Sequence, residues 1–129
     1  MGKEGFEYIW RPGVNPAERG YPGFAPKTQS IKPGILVDRD MSVPMRDGVK
    51  LYVDVYRPDA GQKVPALVAW SPYGKHSPSG YDRFFKNGGV KPEWTSQYAA
   101  FEGPDPLYWV PRGYAVVNVD TRGVWHSEG

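Results

Sequence analysis

A tyrosine in a polar loop is the first residue of this sequence that could take part in chemistry. Tyr73 lies in the segment Ser-Pro-Tyr-Gly-Lys at positions 71–75, directly after the apolar run Val64 to Trp70. Open α/β sheets bind ligands beyond the carboxyl ends of their strands, and this loop has that position. The phenolic O–H of Tyr73 could donate a hydrogen bond to an oxyanion that develops during acyl transfer. The spacing alone favours the alternative, a turn tyrosine that stacks on its neighbours.

A second loop, with the sequence Asp-Thr-Arg-Gly at positions 120–123, follows the apolar run Tyr114 to Val119. Asp120 and Arg122 bracket a tight turn and could pair across it. Gly123 can adopt the positive φ that such a turn often needs. We expect these three residues to hold the loop rather than to react.

None of the serines has the sequence of a nucleophile elbow, Gly-x-Ser-x-Gly on a sharp strand-to-helix turn. The nearest match is Ser127 in Trp-His-Ser-Glu-Gly, where Trp125 replaces the small residue that close backbone approach requires. Ser127 also lies seven residues beyond Asp120, not on a tight turn. We therefore interpret Ser127 as a loop or helix-cap serine.

The chain has only two histidines, His76 and His126, and no cysteine. A catalytic triad needs a histidine oriented by a carboxylate, and a zinc site needs three or four ligands at suitable spacing. Neither histidine has such a context, so the sequence predicts no metal and no cofactor. The absence of cysteine also excludes a disulfide framework.

Composition is that of a globular protein, with 40% hydrophobic and 23% charged residues in a chain of 129. The net charge of +2 comes from interleaved basic and acidic residues, which argues against nucleic-acid binding. The N-terminal segment lacks the apolar core of a secretory signal, and no apolar run is long enough for a membrane span. We expect a soluble, cytoplasmic protein.

Two regions are predicted, an arm at residues 1–33 and an α/β region at residues 34–129. The arm is rich in proline, glycine and aromatic residues, which forbids long helices and suggests packing on another surface. In the second region, apolar residues alternate with polar ones from Val49 to Tyr56. This run follows Asp47-Gly48, a dipeptide typical of a type I′ hairpin turn with positive φ at both residues. We expect an antiparallel hairpin, with alternate valines and a leucine on one face and Lys50, Tyr52, Asp54 and Tyr56 on the other.

Two later runs are almost continuously apolar, as in strands covered on both faces. These are Val64 to Trp70 and Tyr114 to Val119. Between them, Glu93 to Val110 could form a helix, with Trp94, Tyr98 and Ala99 at helical spacing and a break at positions 103–106. The order of hairpin, buried strand, helix and buried strand predicts the α/β class.

Several segments, taken together, resemble the start of the cocaine-esterase and X-Pro dipeptidyl-peptidase family of α/β-hydrolases, the CocE/NonD group. The resemblance covers residues 35–129 approximately and is specific as an ordered set. The segments are Val43–Leu51, Val55–Pro58, Ser71–Tyr73, Val110–Val117, and Asp120–Gly123 through to Ser127–Gly129. It implies the N-terminal part of an α/β-hydrolase sheet, an antiparallel hairpin followed by parallel strands, incomplete in this chain.

The resemblance also implies a reaction and a role for one residue. Family members hydrolyse ester or amide bonds with a Ser-Asp-His triad, so a small ester or a peptide would be the substrate of the complete enzyme. The family's tyrosine after the third strand corresponds to Tyr73, which would donate to the oxyanion beside a backbone N–H next to the nucleophile. Many relatives carry an acid directly after that tyrosine, where this chain has Gly74 and therefore lacks the acid.

By the same resemblance, the nucleophile and the triad Asp and His would lie beyond Gly129, and the chain alone would be inactive. The last strand would lie between the hairpin and the Val64 to Trp70 strand, whose far edge would be open. An open apolar edge favours pairing with another strand, so a second chain or self-association could cover it. One chain of a split hydrolase and a non-catalytic binding or packing module remain as alternative functions.

Overall fold

The computed structural model describes residues 27–75 and 83–129. They form a five-stranded mixed sheet: β1 (Lys27–Lys32), β2 (Ile35–Pro44), β3 (Lys50–Pro58), β4 (Ala66–Ala69) and β5 (Ala115–Asp120). Two short α-helices, α1 (Arg83–Asn87) and α2 (Pro106–Trp109), and 3₁₀ turns at Pro92–Trp94 and Val110–Arg112 lie between β4 and β5.

The strands are arranged in the order β1-β2-β3-β5-β4. The first four in this order pair antiparallel, and β4 pairs parallel to β5. The last strand along the chain therefore lies between the hairpin and β4, as the resemblance implied. Residues 27–32 of the predicted arm join the sheet as β1, whereas the aromatic residues of the arm lie outside the described residues.

The predicted hairpin is confirmed, but its turn is of a different type. The backbone N–H of Gly48 donates to the carbonyl of Met45, and the N–H of Met45 donates to the carbonyl of Val49. Gly48 has φ of 86°, whereas Asp47 is not in the left-handed region, so the prediction of a type I′ turn was wrong. The longer loop needs a left-handed residue at only one position, which glycine occupies without strain.

Apolar clusters lie on both faces of the sheet. On one face, Leu51 and Val53 of β3 are buried against Val119 of β5. On the other face, Tyr56 of β3 is buried with Val116 and with residues of β2. Since neighbouring residues of a strand point to opposite faces, β3 contributes to both clusters. The face of β3 predicted to be polar is therefore largely covered, with Asp54 and Tyr56 both buried.

Strand β4 is shorter and more exposed than predicted. It spans four residues, and Val68 is 55% exposed while the following Trp70 is 61% exposed. The prediction of a strand covered on both faces is wrong for β4, since two of its four residues are exposed; among the described residues it is an edge strand that pairs only with β5. The prediction holds for β5, where five of six residues are buried.

The helix predicted from Glu93 to Val110 is replaced by turns, with helical residues only at the ends of this segment. The carboxylate of Asp105 accepts hydrogen bonds from the backbone N–H and the hydroxyl of Ser96, at 2.6 and 2.7 Å. It also accepts from the backbone N–H of Leu107 at 2.9 Å, which caps α2. A carboxylate bonded to residues on both sides folds the segment back on itself, so the helical spacing of Trp94, Tyr98 and Ala99 was misleading. In the described part of the chain, no helix is both long and apolar enough to cross a membrane.

Candidate active site

Tyr73 lies in the loop that follows β4, at the carboxyl end of the parallel pair β4 and β5. In this loop the backbone N–H of Gly74 donates to the carbonyl of Ser71 at 3.3 Å. The backbone N–H of Tyr73 donates to the hydroxyl of Ser71, also at 3.3 Å. The resulting tight turn gives Gly74 a φ of 68°.

The side chain of Tyr73 both stacks on a neighbour and remains accessible. Its ring meets that of Phe101 edge-on, with 5.1 Å between ring centroids, and Phe101 contacts Phe85 in the same way. Tyr73 is nevertheless 42% exposed. The stacking expected from the spacing is therefore present, and it leaves surface on Tyr73 that a ligand could reach.

Two residues further on, the ammonium group of Lys75 is buried among carboxylates. Its Nζ forms ion pairs with Asp40 Oδ1 and, at 3.0 Å, with Asp54 Oδ1. The side chain of Lys75 is only 1% exposed. Asp54 also accepts a hydrogen bond from Arg39 Nη1 at 3.0 Å, so it forms ion pairs with both Lys75 and Arg39. Buried charges of this kind are costly unless they are paired, as they are here.

Asp40 reaches Lys75 because β2 bulges at this point. The register between β2 and β3 shifts between Asp38 and Met41, and Asp40 adopts a left-handed φ of 52°. Its backbone N–H donates to Asp54 Oδ1 at 3.0 Å. A bulge redirects the side chains of a strand, and aspartate tolerates the left-handed region better than most residues.

Asp120 fixes the backbone of the tyrosine loop from the end of β5. The side chain is fully buried, and Oδ1 accepts a hydrogen bond from the backbone N–H of Lys75 at 2.7 Å. The same oxygen lies 2.5 Å from the position that a Cβ on Gly74 would occupy. Gly74 thus fits a turn with no space for a side chain.

The predicted pairing of Asp120 with Arg122 is wrong, because the two side chains have different environments. Arg122 points outward and pairs with Asp47 of the hairpin loop at 2.5 Å. The backbone N–H of Val49 and then Arg122 hold the pKa of the Asp47 carboxyl below its usual value. Gly123 has φ of 66°, the positive value expected of it.

Ser127 is buried, and its hydroxyl forms hydrogen bonds with two backbone groups. Its Oγ donates to the carbonyl of Asp120 at 2.5 Å and accepts from the backbone N–H of Tyr52 at 3.0 Å. This position agrees with the interpretation of Ser127 as a loop serine. His126 is partly buried beside it, whereas His76 lies outside the described residues.

Lys75, Asp40 and Asp54 are the residues that sequence reasoning missed. They are separated by 14 to 35 positions along the chain, so no local spacing links them. One signal was available: Asp-Arg-Asp at positions 38–40 interrupts the apolar alternation of β2, as a bulge would. Within residues 27–75 and 83–129, no group of three or more possible metal ligands is found.

Comparison with known proteins identifies the family of this chain. Residues 47–129 match the X-Pro dipeptidyl-peptidase (S15) family. The chain belongs to this family. It is also 43% identical over 93 residues to a cocaine esterase from Rhodococcus sp. strain MB1 Bresler. The chain superposes on two crystal structures of a CocE/NonD family hydrolase from Staphylococcus aureus, with TM-scores of 0.57 and 0.58 and 35% identity.

These matches place the S15-family chain in the N-terminal part of an α/β-hydrolase sheet. They cover 72% of this chain but 13% of the cocaine esterase and 16% of the S. aureus hydrolase. The chain thus spans about a seventh of the length of the relatives it matches. Tyr73, Lys75 and Asp120 all lie within the region that matches the S15 family.

Proposed function

We propose that this S15-family chain is the N-terminal part of a serine hydrolase that cleaves ester or amide bonds, and that Tyr73 is its oxyanion-hole donor. The nucleophile, aspartate and histidine of the triad come from sequence outside these 129 residues. The observation that carries the proposal is the position of Tyr73, partly exposed on an anchored loop at the carboxyl end of β4.

The chemistry of acyl transfer explains why a tyrosine in this position would be useful. Attack on an ester or amide carbonyl converts the carbonyl oxygen into an oxyanion. A phenolic O–H that is already aimed at this oxygen stabilises the transition state more than the ground state. The names of the relatives include an esterase and a peptidase, so both bond types are candidate substrates.

The cytoplasmic location and the lack of nucleic-acid binding stay predictions.

A chimeric enzyme tests the role of Tyr73. The segment of the Rhodococcus cocaine esterase that matches this chain is replaced by the corresponding residues of this chain. Hydrolysis of p-nitrophenyl acetate and of a dipeptidyl Xaa-Pro p-nitroanilide is then measured. We expect Tyr73→Phe to lower kcat by about 10²- to 10³-fold with little change in KM, as for loss of one oxyanion donor.

The matched control is Tyr108→Phe, which removes the same hydroxyl from another exposed tyrosine on α2. It should leave kcat unchanged. The 129-residue chain on its own should not be labelled by a fluorophosphonate, because none of its serines has the sequence of a nucleophile elbow and Ser127, the nearest match, hydrogen-bonds to backbone groups. Stoichiometric labelling of this chain, or a Tyr73→Phe chimera as active as its parent, would contradict the proposal.

A further inference from the structure

The loop that carries Tyr73 has its firmest attachments at Lys75 rather than at Tyr73. The two hydrogen bonds inside the turn are both long, at 3.3 Å. Lys75, in contrast, is held at both ends: its backbone N–H donates to Asp120 at 2.7 Å, and its Nζ pairs with Asp40 and Asp54. Only Gly74 separates this anchor from Tyr73.

The three carboxylates that hold Lys75 belong to three different strands of the sheet. Asp40 is at the bulge of β2, Asp54 is in β3, and Asp120 is the last residue of β5. A single loop residue is therefore fixed relative to three adjacent strands of the antiparallel part of the sheet. Its ammonium is buried, and hydrogen bonds to charged groups are stronger and shorter than those between neutral groups.

We propose that Lys75 is a positioning residue for Tyr73: its ion pairs with Asp40 and Asp54 fix the loop, and through Gly74 the loop fixes the phenol. This inference rests on the proposed function, since a fixed phenol matters only if it meets a reacting atom. Oxyanion donors act by being in place before the charge develops, and a displacement of about 1 Å can reduce the rate about 100-fold. Lys75 itself touches no reacting atom in this scheme.

Replacement of Lys75 by methionine removes the ammonium but keeps most of the volume of the side chain. Asp40 and Asp54 then lose this cation, and a buried pair broken on one side is strongly unfavourable. The loop would move to let water or other groups reach the carboxylates, and the ring of Tyr73 would leave Phe101. The contact between the rings of Trp109 and Tyr114 involves none of these carboxylates or cations and provides a reference for the rest of the fold.

The first measurement uses the 129-residue chain and follows its aromatic rings by NMR. In the parent chain we expect contacts between the rings of Tyr73 and Phe101, and between those of Trp109 and Tyr114. Lys75→Met should lose the first contact and keep the second. Arg57→Met, which removes an ion pair elsewhere in the sheet, should keep both. Retention of the Tyr73 contact in Lys75→Met would overturn the proposal.

The second measurement is a double-mutant cycle in the chimeric esterase, with p-nitrophenyl acetate as substrate. Lys75→Met should lower kcat by about 10- to 100-fold with KM within about twofold. In the Tyr73→Phe background the same substitution should change kcat by less than about twofold, because the group it positions is already absent. A purely structural role would instead reduce kcat equally in both backgrounds, and this result would overturn the inference.

A second substitution covers the case in which Lys75→Met does not fold. Asp40→Asn keeps the shape of the carboxylate and leaves the pair between Lys75 and Asp54 in place. It should give a smaller loss of kcat that again disappears in the Tyr73→Phe background, and an equal loss in both backgrounds would overturn the inference. If Tyr73→Phe itself has no effect, the proposed function fails. If only the coupling between positions 73 and 75 is absent, the proposed function stands and this inference fails.

Discussion

At the scale of single residues, Gly74 determines whether the tyrosine loop can form. It has φ of 68°, and a Cβ at this position would lie 2.5 Å from Asp120 Oδ1. The left-handed region costs a residue with a side chain about 1–2 kcal/mol. At Gly74 the clash would also displace the carboxylate that accepts from the backbone of Lys75, a charged hydrogen bond whose loss costs about 1.5–3 kcal/mol.

Gly61 offers a control with the same φ and no steric conflict. Its φ is also 68°, and nothing lies within 4 Å of the position of its Cβ. We expect Gly74→Ala to lower the free energy of unfolding by about 2 kcal/mol more than Gly61→Ala, as measured by urea denaturation. Equal losses for the two variants would mean that Asp120 adjusts without cost, so that the loop does not depend on this glycine.

Ser127 gives a second prediction at this scale, which distinguishes a role in folding stability from a role in catalysis. Its buried hydroxyl joins the carbonyl of Asp120 to the backbone N–H of Tyr52. Ser127→Ala leaves both groups without this partner, which should cost about 1–3 kcal/mol of unfolding free energy. Ser30→Ala, which removes an exposed hydroxyl from β1, should cost less than about 0.5 kcal/mol. In the chimeric esterase, folded Ser127→Ala enzyme should keep its kcat; a loss of all activity would indicate a catalytic serine.

At the scale of secondary-structure elements, local sequence patterns predicted the strands. They failed for structure that depends on residues far apart in the sequence. Alternation from Val49 to Tyr56 was sufficient to predict strand β3 and its buried face with Leu51 and Val53, although the other face is also largely covered. The predicted helix failed because the Asp105 carboxylate, which no spacing indicates, folds residues 92–109 into turns. Tyr73 was found because it follows a strand end, whereas the Lys75 anchor was missed because its partners come from other strands.

The pairing of β1 with the rest of the sheet also involves a carboxylate. The stability of the folded chain should therefore depend on pH. Asp38 in β2 accepts from Arg57 of β3 at 2.6 Å and from Thr28 of β1 at 2.6 Å. The hydrogen bond from Arg57 is the largest influence, and it holds the pKa of Asp38 below its ordinary value of 3.8. A carboxyl whose pKa is lowered by folding stabilises the folded state above its unfolded pKa, and this contribution is lost as pH falls through the folded pKa.

We therefore expect the parent chain to lose more stability than Asp38→Asn as the pH is lowered from about 6 to about 3. The measurement is urea denaturation across this range. In an Arg57→Met background, the effect of Asp38→Asn should depend less on pH, because the main cause of the lowered pKa has been removed. If the difference between parent and Asp38→Asn is the same at every pH, the ion pair contributes nothing to the pH dependence.

At the scale of the whole molecule, the sheet has an exposed apolar strand at one side. Strand β4 ends the order β1-β2-β3-β5-β4, and among the described residues only β5 pairs with it. Val68 and Trp70 are more than half exposed there. An edge strand with unpaired backbone groups and apolar side chains pairs readily with another strand, and natural sheets often prevent this with a lysine.

We expect the 129-residue chain to associate with a second copy of itself through β4, since this strand carries no charged residue that would oppose pairing. Val68→Lys places a charge on the edge and should shift the chain toward the monomer in sedimentation-velocity experiments. Val43→Lys introduces the same charge at an exposed valine of β2, on the other side of the sheet, and should leave the association unchanged. A monomeric parent chain, or equal effects of the two lysines, would contradict pairing at β4. Association that only Val68→Lys reduces would identify β4 as the edge through which two copies pair.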